Sequence, residues 1–120
     1  MSDYNLVSTG TGRWLAPDAL AAALAESFPG TEFGHDLLPG APVALWAYVP
    51  DGDGHTGEVT LDDTGRMVSF TDTSREGVAR VAVELARRFP APGLQLWRWA
   101  GEPVPVTAQT EAADLLSAAG

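Results

Sequence analysis

Two short stretches, residues 43–49 (Val-Ala-Leu-Trp-Ala-Tyr-Val) and 94–99 (Leu-Gln-Leu-Trp-Arg-Trp), each interleave an aliphatic series with an aromatic one. Successive side chains of a strand point to opposite faces. If both stretches belong to one sheet, Val43, Leu45, Leu94 and Leu96 share one face, and Trp46, Tyr48, Trp97 and Trp99 share the other. Such a sheet is apolar on both sides. The chain's own helices can cover one side, and whatever covers the second determines the role of the protein.

The chain has 120 residues, 45% hydrophobic and 19% charged, which suits a single compact α+β domain spanning residues 1–120. It has no cysteine, so neither a disulfide framework nor a thiolate metal site is expected. No basic segment followed by an apolar run opens the sequence, and no stretch approaches a membrane span, so a cytoplasmic protein without membrane association is expected. Sixteen acidic residues face seven basic ones, all arginine, for a formal net charge of -9. That field repels phosphate backbones, which argues against nucleic acid, and it favours encounter with a basic partner. It also serves solubility.

Periodicity gives the elements. Tyr4 to Ser8 alternates weakly, as a short edge strand or an ordered arm. Residues 14–28 predict a helix with Pro17 in its first turn, Asp18 at its positive end, and Leu20, Leu24 and Phe28 as its stripe. Residues 30–42 predict an irregular connection carrying Phe33, Leu37 and Leu38 over the core. Val43 to Val49 reads as a central, doubly buried strand. His55 to Asp62 and Arg66 to Thr71 continue an antiparallel meander, with Gly65 available for a positive φ at the second reversal. Thr73 with Glu76 forms a capping box for a helix whose stripe is Val78, Val81, Ala82, Leu85 and Phe89, and Arg87 and Arg88 suit its last turn. Leu94 to Trp99 is the last strand. Pro103 and Pro105 exclude residues 101–105 from a sheet interior, and from Thr107 an Ala-rich helix uses Val106, Ala112, Leu115 and Leu116. The expected fold is α+β, an antiparallel sheet of four to five strands with helices packed on one face. This element order is similar to that of small acidic secretion chaperones, which dimerise and bind client segments.

Candidate chemistry is sparse. Asp51, Asp53 and His55 suggest a metal loop, but an EF-hand starting at Asp51 needs Gly and Glu where Thr56 and Asp62 stand. His35 and Asp36 lack a nucleophile partner. Asp62 and Asp63, in a hairpin turn, are expected to be fully hydrated and without acid-base work. Gly10-Thr-Gly12 lacks the third glycine of a dinucleotide loop, Leu15 standing there, and the chain has no lysine for a nucleotide-phosphate loop. No catalytic residue, metal or cofactor is therefore expected.

What remains is the face carrying Trp46, Tyr48, Glu58, Met67, Trp97 and Trp99, a mixture of rings and polar groups typical of interfaces. The expected function is a non-catalytic acidic interaction module, immunity-protein-like or chaperone-like. Its partner would be another protein, basic in character, or a second copy in a homodimer. The alternative is a small-molecule binder or modest enzyme with a pocket lined by the same aromatics. A third arrangement, in which the C-terminal helix or the 30–42 connection buries the rings, would leave no binding surface.

Overall fold

The computed structural model describes residues 4–10, 12–34, 43–50, 54–98 and 101–119. The elements run β1 (Tyr4–Ser8), α1 (Pro17–Ser27), β2 (Glu32–Phe33), β3 (Val43–Pro50), β4 (Thr56–Asp62), β5 (Met67–Thr71), α2 (Arg75–Arg88), β6 (Leu94–Arg98), β7 (Val104–Pro105) and α3 (Ala112–Ala119). The fold is α+β. Seven strands form one antiparallel sheet in the order β2-β3-β4-β5-β1-β6-β7, two or three more than the sequence suggested. The additional strands, β2 and β7, have two residues each, too few to show a period of two. Pro105 sits in β7 at the sheet edge, where its missing N–H leaves no interior ladder position empty.

The largest departure is β1. Instead of lying at an edge it is inserted between β5 and β6, with Leu6 opposite both Val68 and Leu96. Its placement follows from Leu6, buried in register with Val68 and Leu96, and from Ser8, buried opposite Leu94. The second departure is β3, which lies next to an edge and is not doubly buried: Ala47 and Val49 are sealed, while Tyr48 between them is exposed. A register shift between Val43 and Leu45 leaves both half-buried.

Along β4, β5 and β6 the alternation is clean. Val59, Leu61, Val68, Phe70, Leu94 and Leu96 are buried, and they form one hydrophobic core with Leu20 and Leu24 of α1, Val78, Val81 and Leu85 of α2, and Leu115 of α3. Burial of one such aliphatic side chain is worth about 1.5–3 kcal/mol, so this layer is the main source of stability.

Local chemistry sets the helix boundaries. α1 begins at Pro17 and ends at Ser27 with Phe28 as its C-cap, after which Gly30 adopts φ 93°. α2 is capped by Ser74, one residue later than the expected capping box, its hydroxyl accepting from the Gly77 N–H at 3.0 Å. Thr73 is not free to cap. Its hydroxyl donates to Thr71 O, and its side chain packs so closely on Gly57 that a Cβ there would lie 2.3 Å from the hydroxyl oxygen. α3 begins at Ala112 instead of Thr107, because Thr107 to Glu111 is spent on a turn in which the Thr107 N–H donates to the Thr110 hydroxyl. Polar contacts tie the helices and their flanking residues together. The Trp14 indole N–H donates to Phe89 O at 2.7 Å, Arg88 pairs with Glu84 and Glu26, and Arg87 pairs with Glu111. Hydrogen bonds from Arg88 and then Ser27 hold the Glu84 carboxyl below its usual range. No described helix is long and apolar enough to cross a membrane.

Candidate protein interface

The strand register fixes which side chains share the second face. Trp46 lies opposite Thr60, Thr60 opposite Ser69, Ser69 opposite Asn5, and Asn5 opposite Trp97, a single row across five adjacent strands. To one side of it runs a row of Glu32, Tyr48, Glu58 and Thr71. To the other side Met67, Val7 and Gln95 are aligned. None of these residues is buried. Tyr48 at 37% and Trp97 at 41% are the exposed large hydrophobic residues among those described, and both belong to this face.

The expected contact residues therefore fall into two groups. Trp46 and Tyr48 stack obliquely on β3, ring centroids 6.0 Å apart at 32°, with Glu58 directly opposite Tyr48. Trp97 stands on β6 above an open concavity of about 400 Å³ lined by Asn5, Val7, Thr9, Met67, Trp97 and Arg98. The two groups are four strands apart and do not form one aromatic cluster. Trp99 lies outside the described residues, as do Leu37, Leu38, His35, Asp36, Asp51 and Asp53.

Between the groups the surface is polar and low. The Ser69 hydroxyl donates to Asn5 Oδ1 at 2.8 Å, which holds both short side chains down on the sheet. At the β3 end the Gly34 N–H donates to Trp46 O at 2.8 Å, and the glycine backbone runs against the Trp46 side chain, where a Cβ would lie 3.4 Å from that of Trp46. Trp46 is half-buried, while Tyr48 stays exposed. The Trp46 indole N–H is buried and has no acceptor among the described residues, an arrangement that typically costs about 1–3 kcal/mol. The principal packing of α3 is against α2 and β7.

Asn5, Val7 and Glu32 belong to this face but were not among the residues expected from sequence. Asn5 and Val7 were detectable, since Asn-Leu-Val-Ser alternates, but only once β1 is an interior strand. Glu32 gave no signal, because β2 is too short to show a phase.

Titratable groups offer little for chemistry. Asp62 is half-buried, not fully hydrated as a turn carboxylate was expected to be. Burial raises its pKa, but hydrogen bonds from the Thr64 hydroxyl and from the Met67, Arg66 and Thr64 N–H groups outweigh this and hold it below the usual range. These are the bonds of a turn, closed by Gly65 at φ 71°. His55 approaches Asp72 at 3.8 Å on the open surface. Among the described residues no group of three or more His, Asp or Glu side chains is placed to hold a metal ion. No family model matches the chain, and no curated protein or solved structure matches it significantly.

Proposed function

We propose that the protein is a non-catalytic, acidic interaction module whose helices cover one face of the sheet and whose other face, with Trp46, Tyr48, Glu58, Met67 and Trp97, binds a partner protein. The supporting observation is that Tyr48 and Trp97, the exposed large hydrophobic residues of the described chain, stand on one face of one sheet. Rings of this kind anchor interfaces when a partner excludes water from them. A net charge of -9 favours a basic partner, such as a toxin, an enzyme held inactive or a chaperoned client, and opposes nucleic acid. The concavity beside Trp97 is open to solvent, whereas small ligands are held where most of their surface is enclosed.

Site-specific photo-crosslinking in cells tests the proposal. With p-benzoylphenylalanine placed at Tyr48 or Trp97, a discrete protein adduct is expected, and none from the same group placed at Arg80, an exposed position of α2. Equal labelling from all three positions, or none from either sheet position, overturns it.

A further inference from the structure

We infer that this face receives one basic amphipathic α-helix of the partner, lying along the strands between the Trp46–Tyr48 pair and Trp97; the inference rests on the interface reading above. Four strand spacings separate Trp46 from Trp97 in their row, about 19 Å at the usual spacing. Side chains stand roughly perpendicular to a sheet, so the rings rise as two ridges over a floor of Thr60, Ser69 and Asn5. A helix with its side chains is about 10–12 Å across, which fits between such ridges.

The main chain of the occupant is constrained too. The face of an interior strand offers no unpaired N–H or C=O, so whatever covers it must satisfy its own backbone internally, as a helix or a second sheet does. An extended peptide would instead need a sheet edge. A second sheet, and hence a second copy, fits poorly: face-to-face sheets interdigitate apolar side chains, and the middle of this face is Thr60, Ser69 and Asn5. Two copies would also each bring a net charge of -9 to the contact.

The trough is polar at one end and apolar at the other. Glu58 borders the trough beside Tyr48 and Glu32 stands behind Tyr48 on β2; among the described residues neither side chain makes an ion pair or hydrogen bond. Met67 and Val7 line the concavity beneath Trp97 at the opposite end. Met67 and Thr71 mark the two ends on β5, four residues or about 14 Å apart, equivalent to roughly nine residues of helix. Lys or Arg at one end of a short helix meets Glu58 and lies in the field of Glu32, and its apolar stripe covers Met67, Val7 and Trp97.

The test titrates the full chain with a synthetic Leu/Lys amphipathic peptide of about 15 residues, long enough to hold a helix, and with a Leu/Glu peptide of the same apolar face. Calorimetry and tryptophan emission give the affinity. Binding of the Leu/Lys peptide alone is expected, weakened about tenfold or more by Trp97→Ala and by Glu32→Gln with Glu58→Gln. Asp18→Asn with Glu76→Gln removes the same charge from helical positions and is expected to leave affinity within about twofold. Equal weakening by both charge pairs, or no binding of the Leu/Lys peptide, overturns the inference. So does light scattering that shows a dimer dispersed by Trp97→Ala, though that result keeps the face as an interface. Failure of the crosslinking at Tyr48 and Trp97 would remove the interface itself.

Discussion

Phe70→Ala and Trp97→Ala remove comparable rings from opposite faces of the same sheet, and their costs should differ by about 3 kcal/mol. Phe70 is 0% exposed and Trp97 is 41% exposed. A buried Phe withdraws roughly 200 Å² from water, worth about 5 kcal/mol at 25 cal/mol/Å², and its truncation leaves a cavity that the close-packed core fills only in part. For Phe70→Ala a loss of about 4–5 kcal/mol follows, a large fraction of the 5–15 kcal/mol typical of a domain. Trp97 withdraws about three-fifths of some 250 Å². Alanine at the same place keeps the backbone and Cβ share of that, and water fills the remainder, so no cavity term arises. The expected cost is about 1–2 kcal/mol. Urea denaturation followed by far-UV circular dichroism measures both, with unchanged m-values required for the comparison. A loss of 3 kcal/mol or more for Trp97→Ala would mean that the ring is sealed inside the fold, and the reasoning for a second, open face would be refuted.

Ser74→Ala removes the acceptor of the Gly77 N–H at the start of α2 and should cost about 1 kcal/mol, read from thermal unfolding, with Ser74→Thr recovering most of it. Gly57→Ala drives a Cβ to within 2.8 Å of two Thr73 carbons, so about 1–3 kcal/mol should be lost, and Thr73→Gly in the same chain should restore most of it. The folded pKa of Asp62 is depressed, so the stability it confers is present above the unfolded carboxylate pKa and is lost as pH falls through the folded value. Asp62→Ala should therefore cost about 1 kcal/mol at neutral pH, discounted for its solvent contact, with the gap to the unsubstituted chain closing under acid titration of stability.

The parts of this fold legible in the sequence are those with enough residues to show a phase. The alternation of Val59, Leu61, Val68 and Phe70 identified the sealed face, and the same alternation assigned Trp46, Tyr48, Glu58, Met67 and Trp97 to the other. Gly65 marked its reversal, and the helix over Val78 to Leu85 showed its stripe. Two-residue strands carry no phase, so β2 and β7, and with them the position of Glu32, could not be read. The cap of α2 shifted by one residue because Thr73 and Ser74 are chemically equivalent candidates. The choice between them is made by a contact with Gly57, sixteen residues earlier.

The position of β1 was the least legible feature and the one that most shapes the candidate site. Five weakly alternating residues contain nothing to say whether they pair on one side or two; Leu6 decides it by burying against Val68 and Leu96 together. Had β1 been an edge strand, with β6 beside β5, Trp97 would stand three spacings from Trp46, about 14 Å. Rings rising from both sides of such a gap would leave less than the 10–12 Å that a helix occupies. Inserting β1 adds one spacing and brings Asn5 beneath the gap, where it accepts the Ser69 hydroxyl and keeps the floor low. It also supplies Val7, which with Met67 makes the apolar end. The segment that read in the sequence as an edge strand or an ordered arm thus sets both the width of the gap between Trp46 and Trp97 and its apolar end.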